Sequence, residues 1–75
     1  MKYDFSDLRK AEIDANEQLK LLGSTDELIL TQHFSVIRIS CINSITEHHE
    51  IIHDAMSRDE AYCWLEGFNT ALLNK

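Results

Sequence analysis

The isoleucine-rich centre of the chain limits the available folds more than any other feature. Eight β-branched residues lie between Ile29 and Thr46, and much of the remainder is serine, asparagine and aromatic. These residue types lose side-chain freedom or compete for backbone hydrogen bonds in a helix, whereas they suit the half-buried surface of a sheet. Summed over the window, the helix propensities disfavour a helix by roughly several kcal/mol. We therefore predict that this region is extended.

Strands are predicted at about residues 28–33 and 34–42, either as two strands or as one continuous strand. A loop through Asn43 and Ser44 follows, and a third strand at about 49–55 leads towards the C-terminus. A helical alternative is open for the same segment, because several apolar residues also fit one helical face: Leu30, Phe34, Ile37, Cys41, Ile45 and Ile52. That alternative gives an all-α three-helix bundle.

The N-terminal region predicts an amphipathic helix. Asp4 is the expected N-cap, and Gly23 stands where a left-handed residue would end the helix. Apolar residues recur at three- and four-residue steps and form one stripe: Leu8, Ala11, Ala15, Leu19 and Leu22. The opposite face is expected to be solvated and carries Arg9, Glu12, Glu17 and Lys20.

A second helix is predicted at the C-terminus. Ser57 and Glu60 have the spacing of a capping box. The apolar residues that follow fall on one face: Ala61, Trp64, Leu65, Phe68, Ala71 and Leu72. The sequence thus predicts one α+β domain, residues 1–75, with an N-terminal helix, a small antiparallel sheet of two or three strands and a C-terminal helix.

Residues 49–53 match the H-E-x-x-H signature of zinc metallopeptidases. On a helix, His49 and His53 would lie one turn apart as metal ligands, and Glu50 would act as general base on a bound water. The extended form of the motif is absent, since Met56 occupies its glycine position and no histidine follows His53. A strand would instead place the two histidines on one face, about 13 Å apart, too far for a shared ion. We therefore predict no metal and no cofactor, with a minimal zinc hydrolase as the alternative.

The charge balance indicates a basic partner. The chain carries 13 acidic and 7 basic residues, for a net charge of −6. Nucleic acid is excluded as an expected partner, because phosphate binding requires clustered lysine and arginine. A protein with a basic surface is the better electrostatic match. Because a chain of 75 residues buries a small core, a homo-oligomer is also possible.

The expected location is the cytoplasm. The first residues lack the apolar stretch of a secretory signal, and no apolar run approaches the roughly 20 residues that cross a bilayer. Cys41 and Cys63 have neither CxxC spacing nor the density of a disulfide scaffold, which favours reduced thiols.

The stretch Ile52-His53-Asp54-Ala55-Met56-Ser57-Arg58-Asp59-Glu60-Ala61 resembles the strand-to-helix junction of small phage-encoded counter-defence proteins, some anti-CRISPR proteins among them. The resemblance covers about a quarter of the chain, and it extends to small size and acidity. It implies an inhibitor that occupies a host protein's surface without chemistry. It transfers no catalytic or binding residue.

The leading hypothesis is a small acidic protein-binding module. It predicts an inhibitor that occludes a basic or nucleic-acid-binding surface of a host protein complex, through an aromatic or apolar patch with an acidic rim. The expected partner-binding residues are Glu50, Asp54, Asp59, Tyr62 and Glu66.

Overall fold

The computed structural model describes residues 3–74 and confirms the α+β prediction. Two helices flank three strands in the order α1 (Phe5–Leu21), β1 (Asp26–His33), β2 (Val36–Asn43), β3 (His49–Ala55) and α2 (Arg58–Leu73). The strands form one antiparallel sheet in the order β1-β2-β3. The all-α alternative is wrong, because the β-branched centre pairs as a sheet.

The molecule has two layers, with both helices on one face of the sheet. Helix α1 packs against β1 and α2, and α2 also packs against β2 and β3. The core lies between the layers and consists of Leu8, Ala11, Ala15, Leu19, Leu28, Leu30, Ile37, Ile39, Ala55, Ala61, Leu65 and Leu72. No helix or strand among residues 3–74 lies over the other side of the sheet, which we call the open face.

The caps of α1 follow from its sequence. The Asp4 side chain accepts a hydrogen bond from the Asp7 backbone N–H at 3.0 Å, and the Asp7 carboxylate accepts one from the Asp4 N–H at 3.1 Å. At the other end Gly23 has a φ of +79°. The N–H groups of Gly23 and Ser24 then bond to carbonyls of the last turn. Both predicted helix ends are confirmed.

The start of α2 departs in part from the predicted capping box. Ser57 is the N-cap, and its hydroxyl accepts a hydrogen bond from the Glu60 N–H at 3.1 Å. The Glu60 carboxylate accepts instead from the N–H of Met56 at 2.9 Å and lies 3.4 Å from His53 Nε2. Glu60 therefore fastens the end of β3 to the first turn of α2.

A tight turn at Phe34 and Ser35 separates β1 from β2. His33 and Val36 are paired, so only these two residues form the loop. Phe34 has a φ of 57° and its side chain is fully exposed. Two-residue hairpins usually place glycine or asparagine where φ is positive, and a bulky residue there is strained. Because the turn contains neither glycine nor asparagine, the sequence is also compatible with one continuous strand.

Replacing Phe34 with glycine is expected to raise the free energy of unfolding by about 0.5–1 kcal/mol, because glycine adopts a positive φ without steric cost. Urea unfolding measures the change. Phe34→Ala is the control, since it removes the same exposed ring but keeps the Cβ that causes the strain. Equal stability of the two variants would contradict the prediction.

The turn between β2 and β3 is organised by one asparagine. Asn43 Oδ1 accepts hydrogen bonds from the N–H groups of Ile45 at 3.0 Å and Thr46 at 2.9 Å. Its carbonyl accepts from the Glu47 N–H at 2.8 Å. Asparagine is suited to such turns because its short side chain bonds to backbone two residues ahead. The predicted loop through Asn43 and Ser44 is confirmed.

Strand β3 contains a bulge that changes which side chains share a face. Ile39 pairs with His53 and Ser40 pairs with Ile51, so Ile52 is an extra residue with no partner on β2. A bulge breaks the two-residue alternation of side chains. Residues 49–51 therefore lie on the opposite face from the one they would occupy if β3 continued regularly from residues 53–55.

The outer edge of β1 is covered by polar side chains of α1. Glu12 Oε2 accepts a hydrogen bond from the Leu30 N–H at 2.7 Å. Asn16 bonds to both backbone groups of Leu28, accepting from its N–H at 2.7 Å and donating to its carbonyl at 3.0 Å. The expectation that Glu12 is solvated was wrong, because its carboxylate is buried against the sheet edge. These bonds satisfy three backbone groups in the middle of β1 and so hinder further strand pairing there.

Candidate functional site

The H-E-x-x-H residues lie on β3 and not on a helix. His49 pairs with Ile42, which places it on the open face, whereas His53 pairs with Ile39 of the core. The prediction that a strand keeps both histidines on one face was wrong, because the bulge at Ile52 intervenes. Within residues 3–74, no three His, Cys, Asp or Glu side chains are grouped to hold a metal. The helical geometry on which the zinc hypothesis depends is absent from these residues.

His53 belongs to a row of flat side chains on the helix side of the sheet. Its ring stacks on Trp64 with centroids 6.1 Å apart, and Trp64 stacks on Phe68 at 5.5 Å. Its Nε2 is 3.4 Å from the Glu60 carboxylate. The row connects the end of β3 to the middle of α2, where an apolar groove begins.

This groove lies between the sheet and the C-terminal halves of both helices, with a volume of about 510 Å³. That volume is within the range of ligand-binding sites in proteins. Its walls are mainly large apolar side chains: Leu19, Leu22, Leu28, Ile52, Phe68 and Leu72. Ile52 reaches the groove because the bulge turns it to the helix side. We call this set the apolar half of the groove.

An acidic half continues from the apolar half along the same end of the sheet. Asp26 and Cys41 line both halves, and the remaining residues are Asn43, Thr46, His48 and Glu50. Burial raises the pKa of the Cys41 thiol above its ordinary value, and the carboxylates of Asp26 and Glu50 raise it further. Two carboxylates thus lie close to the thiol at the junction. We refer to both halves together as the composite groove.

Both helices point their C-terminal ends at the composite groove. Tyr3, at the start of α1, stacks on Tyr62 near the start of α2, with ring centroids 3.8 Å apart, so the two helices run in the same direction. Helix C-termini carry a partial negative charge. Lys20 in the last turn of α1 offsets this charge, whereas the last turn of α2 contains no basic residue. The end of α2 therefore adds to the negative potential of Asp26 and Glu50.

Of the five predicted contact residues, Glu50 is the one that lines the composite groove. Asp54 lies on the open face, where its carboxylate forms a two-point ion pair with Arg38 at 2.9 and 3.3 Å. Hydrogen bonding with Arg38 lowers the pKa of Asp54 below its ordinary value of 3.8. An ion pair already satisfied within the chain leaves Asp54 less free for a partner.

The other three predicted contact residues lie on α2. Asp59 and Tyr62 are beside the start of α1, and Glu66 is further along, near Glu17. Asp59 Oδ1 accepts a hydrogen bond from the Tyr3 N–H at 3.2 Å, and Tyr62 stacks on the Tyr3 ring. A hydrogen bond between the Tyr62 phenol and Glu66 raises the pKa of that phenol above its ordinary value. Asp59 and Tyr62 thereby hold the helices together. The structure divides the five residues among three surfaces.

Sequence reasoning missed most of the composite groove. The sequence does not single out Asp26, and it assigns Leu22 to the apolar stripe of α1, whereas the Leu22 side chain is half exposed at the groove. It predicts a regular strand around Ile52. The alternation of β3 carries no sign of its bulge, so no local signal predicted that Ile52 would join residues from both helices.

Neither helix among residues 3–74 is long and apolar enough to cross a membrane. Comparison of the chain with protein-family models, with curated proteins and with solved structures gave no match.

Proposed function

We propose that this protein is a protein-binding module that takes a basic, amphipathic segment of a partner into the composite groove. The observation that carries this proposal is the continuity of the two halves, which meet at Asp26 and Cys41. An apolar wall beside a pair of carboxylates matches a ligand with an apolar side and a cationic side.

The apolar half binds an apolar anchor residue of the partner. Leu22 and Ile52 are about half exposed beside Leu28 and Leu72, which are almost fully buried. A large apolar side chain entering the groove would cover these surfaces, and burial of apolar area contributes about 25 cal/mol per Å². Anchors of this kind dominate the energetics of protein interfaces.

The acidic half supplies orientation and selectivity. Lysine or arginine beside the anchor would meet the Glu50 and Asp26 carboxylates and the C-terminus of α2. A net charge of −6 also attracts basic partners over longer distances. A segment with acidic residues in the same places would be repelled.

Occupation of the groove covers the partner's basic segment. Clustered lysine and arginine residues are a common element of nucleic-acid-binding surfaces. We therefore propose an inhibitor that occludes such a surface on a host protein complex. The resemblance of residues 52–61 to small phage-encoded counter-defence proteins supports this choice of biological setting.

A synthetic peptide of about 18 leucine and lysine residues, patterned as an amphipathic helix, is the test ligand. Trp64 is the only tryptophan in the chain and stacks on Phe68, which lines the groove, so its fluorescence reports binding. We expect saturable binding that weakens as salt is raised. A peptide in which glutamate replaces every lysine should not bind, and equal binding of both peptides would overturn the proposal.

Matched variants locate the site. Glu50→Lys should weaken the lysine peptide about tenfold, whereas Glu17→Lys makes the same change of net charge on exposed α1 and should leave affinity near that of the original chain. Leu22→Asp should also weaken binding, and Leu21→Asp, at the neighbouring exposed leucine outside the groove, should not. If each variant matches its control, the groove is not the binding site.

A further inference from the structure

The open face of the sheet is a partly apolar surface on the side opposite the composite groove. Its middle row is Ile29, Ser40 and Ile51, and the next row is Glu27, Ile42 and His49. Ile51 is 52% exposed, and Ser40 between the two isoleucines is 3% exposed. An antiparallel sheet commonly leaves one face to solvent with polar side chains, whereas three isoleucines lie on this face: Ile29, Ile42 and Ile51.

From this face we infer that the protein forms a weak dimer in which the open faces of two copies pack against each other. The first support is its charge. Of their Asp, Glu, Lys and Arg residues, the three strands place three on the open face: Glu27, Asp54 and Arg38. Arg38 neutralises Asp54. The face therefore carries about one net negative charge, in a chain whose net charge is −6. Two copies therefore repel each other little through this surface.

The same neutrality argues against a basic partner on this face. The carboxylates that would attract one are concentrated elsewhere, including Asp26 and Glu50 in the composite groove. Long-range attraction would bring a basic protein to those surfaces first. A second copy of this chain is the occupant that an almost uncharged, isoleucine-containing face fits best.

Two rows of the face are also self-complementary. A twofold axis running along β2, between the two sheets, places Ile29 over Ile51 of the second copy and Ile42 over Ile42. It also places Glu27 over His49 of the second copy, since Glu27 and His49 flank Ile42 in one row. The same axis places Arg38 over Arg38 of the second copy, and the Asp54 of each copy already pairs with its Arg38. Aligned sheet packing at about 10 Å allows these pairs to interdigitate. The small hydroxymethyl group of Ser40 leaves room for the isoleucines beside it.

The size of the face sets the expected strength. Three strands at about 4.8 Å and eight residues at about 3.3 Å give a surface of roughly 14 by 26 Å. This projected area is about 360 Å² on each copy, below the roughly 600 Å² per partner of stable specific interfaces, so the dimer should be transient and form only at high micromolar concentrations or above. Because the composite grooves lie on the far sides, a dimer would present two of them and could bind a partner twice.

Sedimentation equilibrium from about 10 µM to 1 mM tests the inference. The mass should rise with concentration from the 8.7 kDa of one chain towards twice that value. Ile51→Lys should weaken dimerisation at least tenfold while the circular dichroism spectrum and peptide binding stay unchanged. Ile13→Lys, at an isoleucine 54% exposed on α1, should leave the dimer intact.

A charge exchange tests the twofold axis itself. Glu27→Lys and His49→Glu should each weaken self-association, and mixing the two variants should restore dimers that contain one copy of each. A mass that stays at 8.7 kDa at every concentration would overturn the inference. So would a dimer that Ile13→Lys disrupts as strongly as Ile51→Lys, because it would then form through another surface.

Discussion

We expect the Glu12→Ala substitution to lower the free energy of unfolding by about 2–3 kcal/mol. The Glu12 carboxylate accepts a hydrogen bond from the Leu30 N–H at 2.7 Å, and Leu30 is 1% exposed. Alanine removes the acceptor and leaves a buried backbone donor unsatisfied, which costs the desolvation energy of that group. Urea unfolding monitored by circular dichroism measures the change.

Two variants separate this effect from loss of charge or of helix propensity. Glu17→Ala removes a carboxylate from the exposed side of the same helix and should change stability by less than about 0.5 kcal/mol. Glu12→Gln keeps a carbonyl acceptor and should fall between the two. Equal destabilisation by Glu12→Ala and Glu17→Ala would show that the bond to the edge of β1 contributes nothing.

The second large effect is expected in the core. Leu65 on α2 is fully buried among the residues that join both helices to the sheet. Leu65→Ala should lower the free energy of unfolding by about 3 kcal/mol, because it removes buried apolar contacts and leaves a cavity. A loss of this size is a large share of the stability of a domain this small.

Leu73→Ala is the matched control, since it makes the same substitution on the same helix at a side chain that is 67% exposed. It should change stability by less than about 0.5 kcal/mol. Chemical unfolding of the two variants under identical conditions gives the comparison. A loss at Leu73 as large as that at Leu65 would contradict the assignment of the buried face of α2.

The secondary structure was largely predictable because its determinants are local. Asp4, Gly23 and Ser57 mark helix ends through hydrogen bonds within a few residues. The β-branched centre disfavours a helix whatever surrounds it. The third strand, expected at about 49–55, is observed at His49–Ala55.

Two features could not be predicted from the sequence: the hairpin turn at Phe34 and the partners of the Glu60 carboxylate. A hairpin turn at Phe34 lacks the glycine or asparagine that usually indicates one. The capping spacing of Ser57 and Glu60 predicted a reciprocal pair, yet Glu60 bonds to Met56 and lies near His53. His53 lies on β3, and the capping pattern carries no information about where that strand ends relative to the helix.

The sequence by itself determined that this is an acidic α+β chain with two capped helices around a β-branched centre, because capping, propensity and apolar spacing act over a few residues. Tertiary structure alone decided that Glu12 covers a sheet edge and that the bulge at Ile52 separates His49 from His53. It also decided that Asp26 and Glu50 meet an apolar groove. Each of these depends on contacts between residues far apart in the chain, and their geometry exists only after the two layers pack.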